Sequence, residues 1–197
     1  MPSHRQKKLE KKKKQRLAAR TATRAATTPS SLNGVLRLAA QAPFGQAFMS
    51  PEWRSAEPDL VSVVLTRQLE NGSIVAGMAL VDRTCLGVKN AFARQLHSKE
   101  ELAELIELVG EAHESELEEV SVLEAQSVVY NAIDYARSVG FEPDRDFPEP
   151  VFGPRPETLL ETPLARSERP LYVPGPSDDV ARIVRIVEAK GGQLAGL

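Results

Sequence analysis

The chain is poor in the residues that build metal and redox sites: one cysteine, three histidines and one tryptophan in 197 residues, with aromatics at only 5%. A lone Cys85 cannot form an internal disulfide, which agrees with a reducing compartment such as the cytoplasm. One cysteine and three histidines also fall short of a zinc cluster of the usual spacing. No apolar run approaches the roughly 18 residues of a membrane span, and the first residues lack the apolar core of a secretory signal. A cytoplasmic protein with no membrane partner is therefore expected. There is no P-loop, no GxGxxG pattern and no GxSxG elbow, so nucleotide hydrolysis, dinucleotide binding and α/β-hydrolase chemistry have no motif behind them. What remains is a length and a 42% hydrophobic content that suit one ordinary globular domain with appendages.

Acids are nearly missing from residues 1–31, which hold ten lysines and arginines against Glu10 alone, a net of +9. The rest of the chain keeps 15 basic and 26 acidic residues, a net of −11, so the overall charge of −2 conceals a cationic arm on an acidic body. A segment with few apolar residues and a dense like-charge run is expected to be disordered when free. Its good helix formers over 6–26 allow helix against an anion. Lys7, Lys8, Lys11, Lys12, Lys13, Lys14, Arg16 and Arg20 are the candidate nucleic-acid contacts, because basic side chains that neutralise phosphates release counterions and bind strongly without reading sequence. RNA or the ribosome is the partner this arm suits. It carries no aromatic residue on which a base would stack. The competing reading is a tail that solubilises the chain or folds back on its own acidic body.

The spacing of apolar residues and turn formers predicts an α+β domain: a hairpin-based antiparallel sheet packed with two or three helices. Residues 1–30 are read as the basic arm, 31–142 as the core domain, and 143–197 as a Pro-rich wrap ending in a helix. "LNGVLRLAAQAPF" reads as a short helix closed before Pro43, and the stretch from Pro43 to Pro58, with Trp53, as irregular. In "VSVVLTRQLENGSIVAGMALVD" the Asn71-Gly72 pair suits a type I′ turn. A two-residue loop there sets Leu69 against Ile74, Leu65 against Met78, Val63 against Leu80 and Val61 against Asp82. "RTCLGVKNAFARQLH" then turns at Gly87 and enters a short helix.

Ser98 with Glu101 and Ser121 with Glu124 read as capping boxes of two helices, stopped at Gly110 and Gly140. Residues 111–119 between them are acidic and read as solvated. Segment 143–176 holds nine of the 14 prolines, a length of unstructured chain that suits a functional arm or a protein-binding wrap. A last helix is expected from about Asp178 to Gly191.

Asp82 is the first candidate for chemistry, since this register ends the buried strand on a carboxylate. A lone buried carboxylate needs donors, either the amides of "RTCLGVK" or Arg83 or Lys89. Alternatively it serves as a general base or metal ligand, with Asp134 as a second catalytic acid and Asp144 and Asp146 as further ligands for a divalent metal in a hydrolase or nuclease. Asp144 and Asp146 would point to one side of an extended backbone. Cys85 sits near two basic residues, the minimum for an activated thiol, with His97 and His113 as the available bases. A buried, inert cysteine is the simpler account.

"VDRTCLGVKNAF" and "AQSVVYNAIDYARSVGFEPDRDF" resemble an uncharacterised bacterial protein family. That family carries a strand ending in a VDxxCLGVK-type motif and, later, a helix and turn of the YxAxxYAxxxGFxPxxDF type. The resemblance spans roughly residues 60–147 and implies no catalytic residue. It does imply that Asp82, Cys85, Gly87 and Lys89 belong with Tyr130, Asp134, Asp144 and Asp146. The leading expectation is a non-enzymatic binding protein acting through its arm. The alternatives are a metal-dependent hydrolase and a scaffold using the Pro-rich segment.

Overall fold

The computed structural model describes residues 31–55, 57, 60–162, 169–175 and 178–195. The expected disorder or induced helix of the arm lies outside the described residues. The elements are α1 (Leu32–Ala39), β1 (Phe44–Met49), a 3-10 turn (Pro51–Arg54), β2 (Leu60–Gln68), β3 (Ile74–Asp82), β4 (Gly87–Leu96), α2 (Lys99–Ala112), β5 (Glu118–Val120), α3 (Val122–Val139), the single turn α4 (Glu149–Phe152), β6 (Leu171–Tyr172), α5 (Val180–Ala189) and β7 (Gln193–Leu194). The α+β expectation holds. Five strands form an antiparallel sheet in the order β4-β3-β2-β1-β5, and β6 and β7 pair in parallel apart from it.

Both faces of the sheet are buried. Val61, Val63, Leu65, Ala79 and Val81 pack under Ala125, Val128, Val129, Ala132 and Ile133 of α3. Val64, Ile74, Ala76, Met78, Leu80 and Leu96 pack under Leu102, Leu105 and Val109 of α2. A helix on each face explains why β2 and β3 are almost continuously apolar instead of alternating.

The hairpin register differs from the two-residue expectation by one residue. Val61 pairs with Val81, Val63 with Ala79, Leu65 with Gly77, and Leu60 with Asp82. The loop is Glu70-Asn71-Gly72: the Leu69 N–H donates to the Ser73 carbonyl at 2.9 Å and Gly72 takes φ +90°. That is the three-residue hairpin with a left-handed third position. Asn71 does not complete a type I′ turn; its Oδ1 accepts the Ser73 N–H and hydroxyl at 3.0 and 2.7 Å.

Four further expectations are corrected. The stretch after Gly87 is not a helix but strand β4, paired with β3 from Ile74↔Leu96 to Asp82↔Gly87. The helix formers Ala91, Ala93, Arg94 and Gln95 yield to long-range pairing, as propensity does when tertiary contacts oppose it. Residues 44–49 form β1, and 118–120 of the acidic stretch form the outermost strand β5. Helix α2 runs past Gly110 to Ala112.

The box at Ser121 and Glu124 is complete, and Gly140 at φ +114° closes α3. At α2 only half the box forms: Ser98 accepts the Glu101 N–H, while the Glu101 carboxylate accepts the N–H of His97.

The described part of the Pro-rich segment packs on the domain. Val151 and Phe152 are fully buried, and Leu160 and Thr162 run over α3. A third core joins Cys85, Leu86, Ala136, Val139, Phe141, Tyr172 and Val187, which seats α5 beside the β3–β4 loop. Among the described residues no helix is long and apolar enough to cross a membrane.

Candidate functional site

Asp82 ends β3 at 4% exposure, and its own loop supplies its donors. Oδ1 accepts from the Thr84 N–H at 2.8 Å, the Thr84 hydroxyl at 2.7 Å and the Cys85 N–H at 3.1 Å; Oδ2 accepts from the Leu86 N–H at 3.2 Å. The carboxylate folds the four residues between β3 and β4 around itself. Gly87 then starts β4 at φ +70°, so close to α3 that a Cβ would stand 2.8 Å from the Ala136 Cβ and 3.1 Å from the Ala132 carbonyl oxygen. Only glycine suits both the backbone and the space.

Neither basic neighbour serves Asp82. Arg83 is 1% exposed, and its guanidinium donates to the carbonyls of Ser55 at 2.7 Å and Glu57 at 3.0 Å. Lys89 reaches Asp178 instead, at 2.8 Å. Cys85 is fully buried, and its thiol is pushed up to about 12, first by burial and then by the negative charge of Asp82, with Lys89 offsetting part of it. It is a thiol at neutral pH, not a nucleophilic thiolate. His97 stands just beyond the opposite end of β4 and His113 caps the C-terminal end of α2, and the charged groups that act on the Cys85 thiol are Asp82, Lys89 and Asp178.

Asp178 fastens α5 to this region. Besides Lys89, its Oδ2 accepts from the Tyr172 hydroxyl at 2.9 Å and the Gly175 N–H at 2.8 Å. Burial alone would raise its pKa, but Lys89, Gly175 and Tyr172 together hold it below the usual carboxylate value. Tyr172 is raised by burial and by its hydrogen bond to that carboxylate.

A cleft of about 360 Å³ opens beside this latch. Leu86, Val88 and Lys89 line one wall, Phe141, Glu142 and Asp144 another, and Asp179 and Arg182 the α5 side. The "LGVK" and "GFEPD" stretches therefore meet here, tied by the Asp144 N–H to the Val88 carbonyl at 2.8 Å. The walls carry both signs of charge, and the Lys89 ammonium is already matched by Asp178.

The acids considered for a metal are not gathered. Asp82 is enclosed by its loop, and Asp134 on α3 accepts from Arg155 at 2.9 Å. Asp144 Oδ1 accepts the Asp146 N–H at 2.8 Å, so the backbone turns there and is not extended. Among the described residues no three His, Cys, Asp or Glu side chains are placed to share a metal ion. The candidate contacts Lys7, Lys8, Lys11, Lys12, Lys13, Lys14, Arg16 and Arg20 lie outside the described residues. Comparison with family models, curated proteins and solved structures gives no match for the chain.

Sequence reasoning missed the polar set that holds the Pro-rich wrap. Arg67, 5% exposed, donates to the carbonyls of Val151 and Ala42, each at 2.8 Å, and lies 3.4 Å from the centroid of the Phe44 ring. Gln126 donates to the Phe152 carbonyl at 2.7 Å, and the Tyr130 hydroxyl donates to the Gly153 carbonyl. Burial pushes Tyr130 up to about 12. The next residue of α3, Asn131, donates to the Leu160 carbonyl and the Thr162 hydroxyl, both at 3.0 Å. The recurrence of Ser127, Asn131 and Asp134 on α3 was the available signal, and its meaning is a clamp on a strap with little secondary structure of its own.

Proposed function

We propose that the protein is a non-enzymatic binding protein whose cationic N-terminal arm contacts a polyanion, RNA or the ribosome foremost. The observation that carries this reading is the segregation of charge, +9 over residues 1–31 against −11 over the rest. The arrangement of the body supports it: the candidate acids are engaged singly by amides or by arginine, and the one cysteine is a buried thiol.

Filter binding to a single-stranded RNA across a salt series tests it. Each phosphate neutralised contributes about 0.7 to the slope of log K against log salt. Replacing Lys11, Lys12, Lys13 and Lys14 by glutamine should therefore flatten the slope by roughly 3. Unchanged affinity and slope, in that variant and in a chain lacking residues 1–30, would sink the arm's role.

A further inference from the structure

The C-terminal half of α2 and the turn after it form a groove of about 620 Å³ on the outer side of the domain. Ile106 and Leu117 give it an apolar floor, and Glu107, Glu111, Glu114 and Glu116 stand around it. All four glutamates are exposed, and none forms an ion pair with a described residue. The last turn of α2 holds no basic residue. Carboxylates there add to the negative end of the helix dipole, where cations are favoured. The groove's wall is fixed: the Ser115 N–H donates to the Gly110 carbonyl at 3.0 Å, and the Ser115 hydroxyl donates to Glu52 at 2.9 Å.

We propose that this groove is the docking site of the protein's own cationic arm, residues 5–24, and that a polyanion and the groove compete for the arm. The competition rests on the function proposed above; the docking does not. Arm and groove are complementary in kind. Arg16, Arg20 and Arg24 recur every four residues in the sequence, Glu107 and Glu111 recur likewise on α2, and Leu17 offers an apolar side chain to the floor.

The tether permits the contact. From residue 31, the 15 positions back to Arg16 reach up to about 50 Å at ~3.5 Å each, more than the diameter of a domain this size. Tethering also sets a local concentration in the millimolar range, at which individually weak ion pairs close. A second chain could bring the same basic sequence, so the experiment separates the two sources.

The test uses the full chain. Carbodiimide coupling, which joins lysine to carboxylate with no spacer, is run on a mixture of ordinary and ¹⁵N-labelled protein and mapped by mass spectrometry. Docking gives within-chain links from Lys7–Lys14 to Glu107–Glu116, lost in about 1 M salt where screening acts over ~3 Å. Links of equal yield to the exposed Glu70, Glu157, Glu161 and Glu188, or links only between chains, overturn it.

RNA affinity is then compared for two variants of equal charge change. One has Glu107, Glu111, Glu114 and Glu116 replaced by glutamine; the other has Glu70, Glu157, Glu161 and Glu188 replaced in the same way. The groove variant should bind roughly three- to tenfold more tightly than the native chain, the effect of a few exposed ion pairs, and the control should change less than about twofold. Equal gains in both variants would mean general repulsion and overturn the docking. Groove links without RNA binding in any variant would leave the docking standing and remove the polyanion reading.

Discussion

Removing the Asp82 carboxylate tests whether it is held as a fastening for its loop. Asp82→Ala leaves the buried N–H groups of Thr84, Cys85 and Leu86 and the Thr84 hydroxyl without their acceptor. A buried donor left unsatisfied costs about 1–3 kcal/mol, and relaxation of a short loop recovers part of that, so a loss of ~3–5 kcal/mol is expected. Against a total stability of about 5–15 kcal/mol this is severe.

Asp82→Asn keeps an oxygen for the three donors on Oδ1 but sets an amide group against the Leu86 N–H, for a loss of ~1–2 kcal/mol. Urea unfolding followed by circular dichroism reads both. With an m-value of about 2 kcal/mol/M, the midpoint should fall by ~2 M for alanine and ~0.5–1 M for asparagine. An alanine variant within ~0.5 kcal/mol of the native chain would refute the fastening role. An asparagine variant more stable than the native chain would show a carboxylate kept at a cost to the fold, as reactive sites keep them.

The Lys89–Asp178 latch gives an acid-side dependence. Asp178 is lowered in the fold, so its contribution is present above the ordinary carboxylate pKa and is lost as pH falls through the lowered folded value. Hydrogen exchange of α5 amides should accelerate over that window, and Asp178→Asn should remove the dependence. Cys85, with its thiol pushed up to about 12, should resist Ellman's reagent at pH 8 in the folded protein and react at once in urea; fast labelling of the folded chain would contradict its burial. The Tyr135 hydroxyl is buried without a hydrogen-bond partner among the described residues, so Tyr135→Phe should raise stability by ~1 kcal/mol in the same urea assay, and a loss would mean that the hydroxyl has an acceptor.

Features fixed by neighbours in sequence were legible before the structure. The box of Ser121 and Glu124 and the left-handed Gly140 bound α3 as expected. The hairpin was legible as a hairpin, but its register was not. Asn71-Gly72 suits both a two-residue and a three-residue loop, and with both faces of β2 and β3 buried the apolar pattern fits either alignment. Strand β4 was hidden because its partner Ile74–Asp82, and not its own propensity, makes it a strand. For Asp82, the local amides were foreseeable from the loop that follows. The pairing of Lys89 with Asp178 was not, since it depends on where the third core seats α5.

The destination of the polar side chains bears on how the body can act. Segments 150–162 and 171–175 have little secondary structure, so their carbonyls and amides need partners from elsewhere. Arg67, Gln126 and Tyr130 supply them around Val151–Gly153, Ser127 and Asn131 at Leu160 and Thr162, and Asp178 at Gly175. Among the buried polar side chains, Arg67, Gln126 and Ser127 are committed to holding this Pro-rich strap, while Asp82 and Arg83 hold loops next to the sheet. The glutamates around α2 are instead exposed and without described ion-pair partners, so they act as a surface field. On the function proposed above, a field of one sign on the body and of the opposite sign on a tethered arm makes the arm's availability the quantity that a competing polyanion would change.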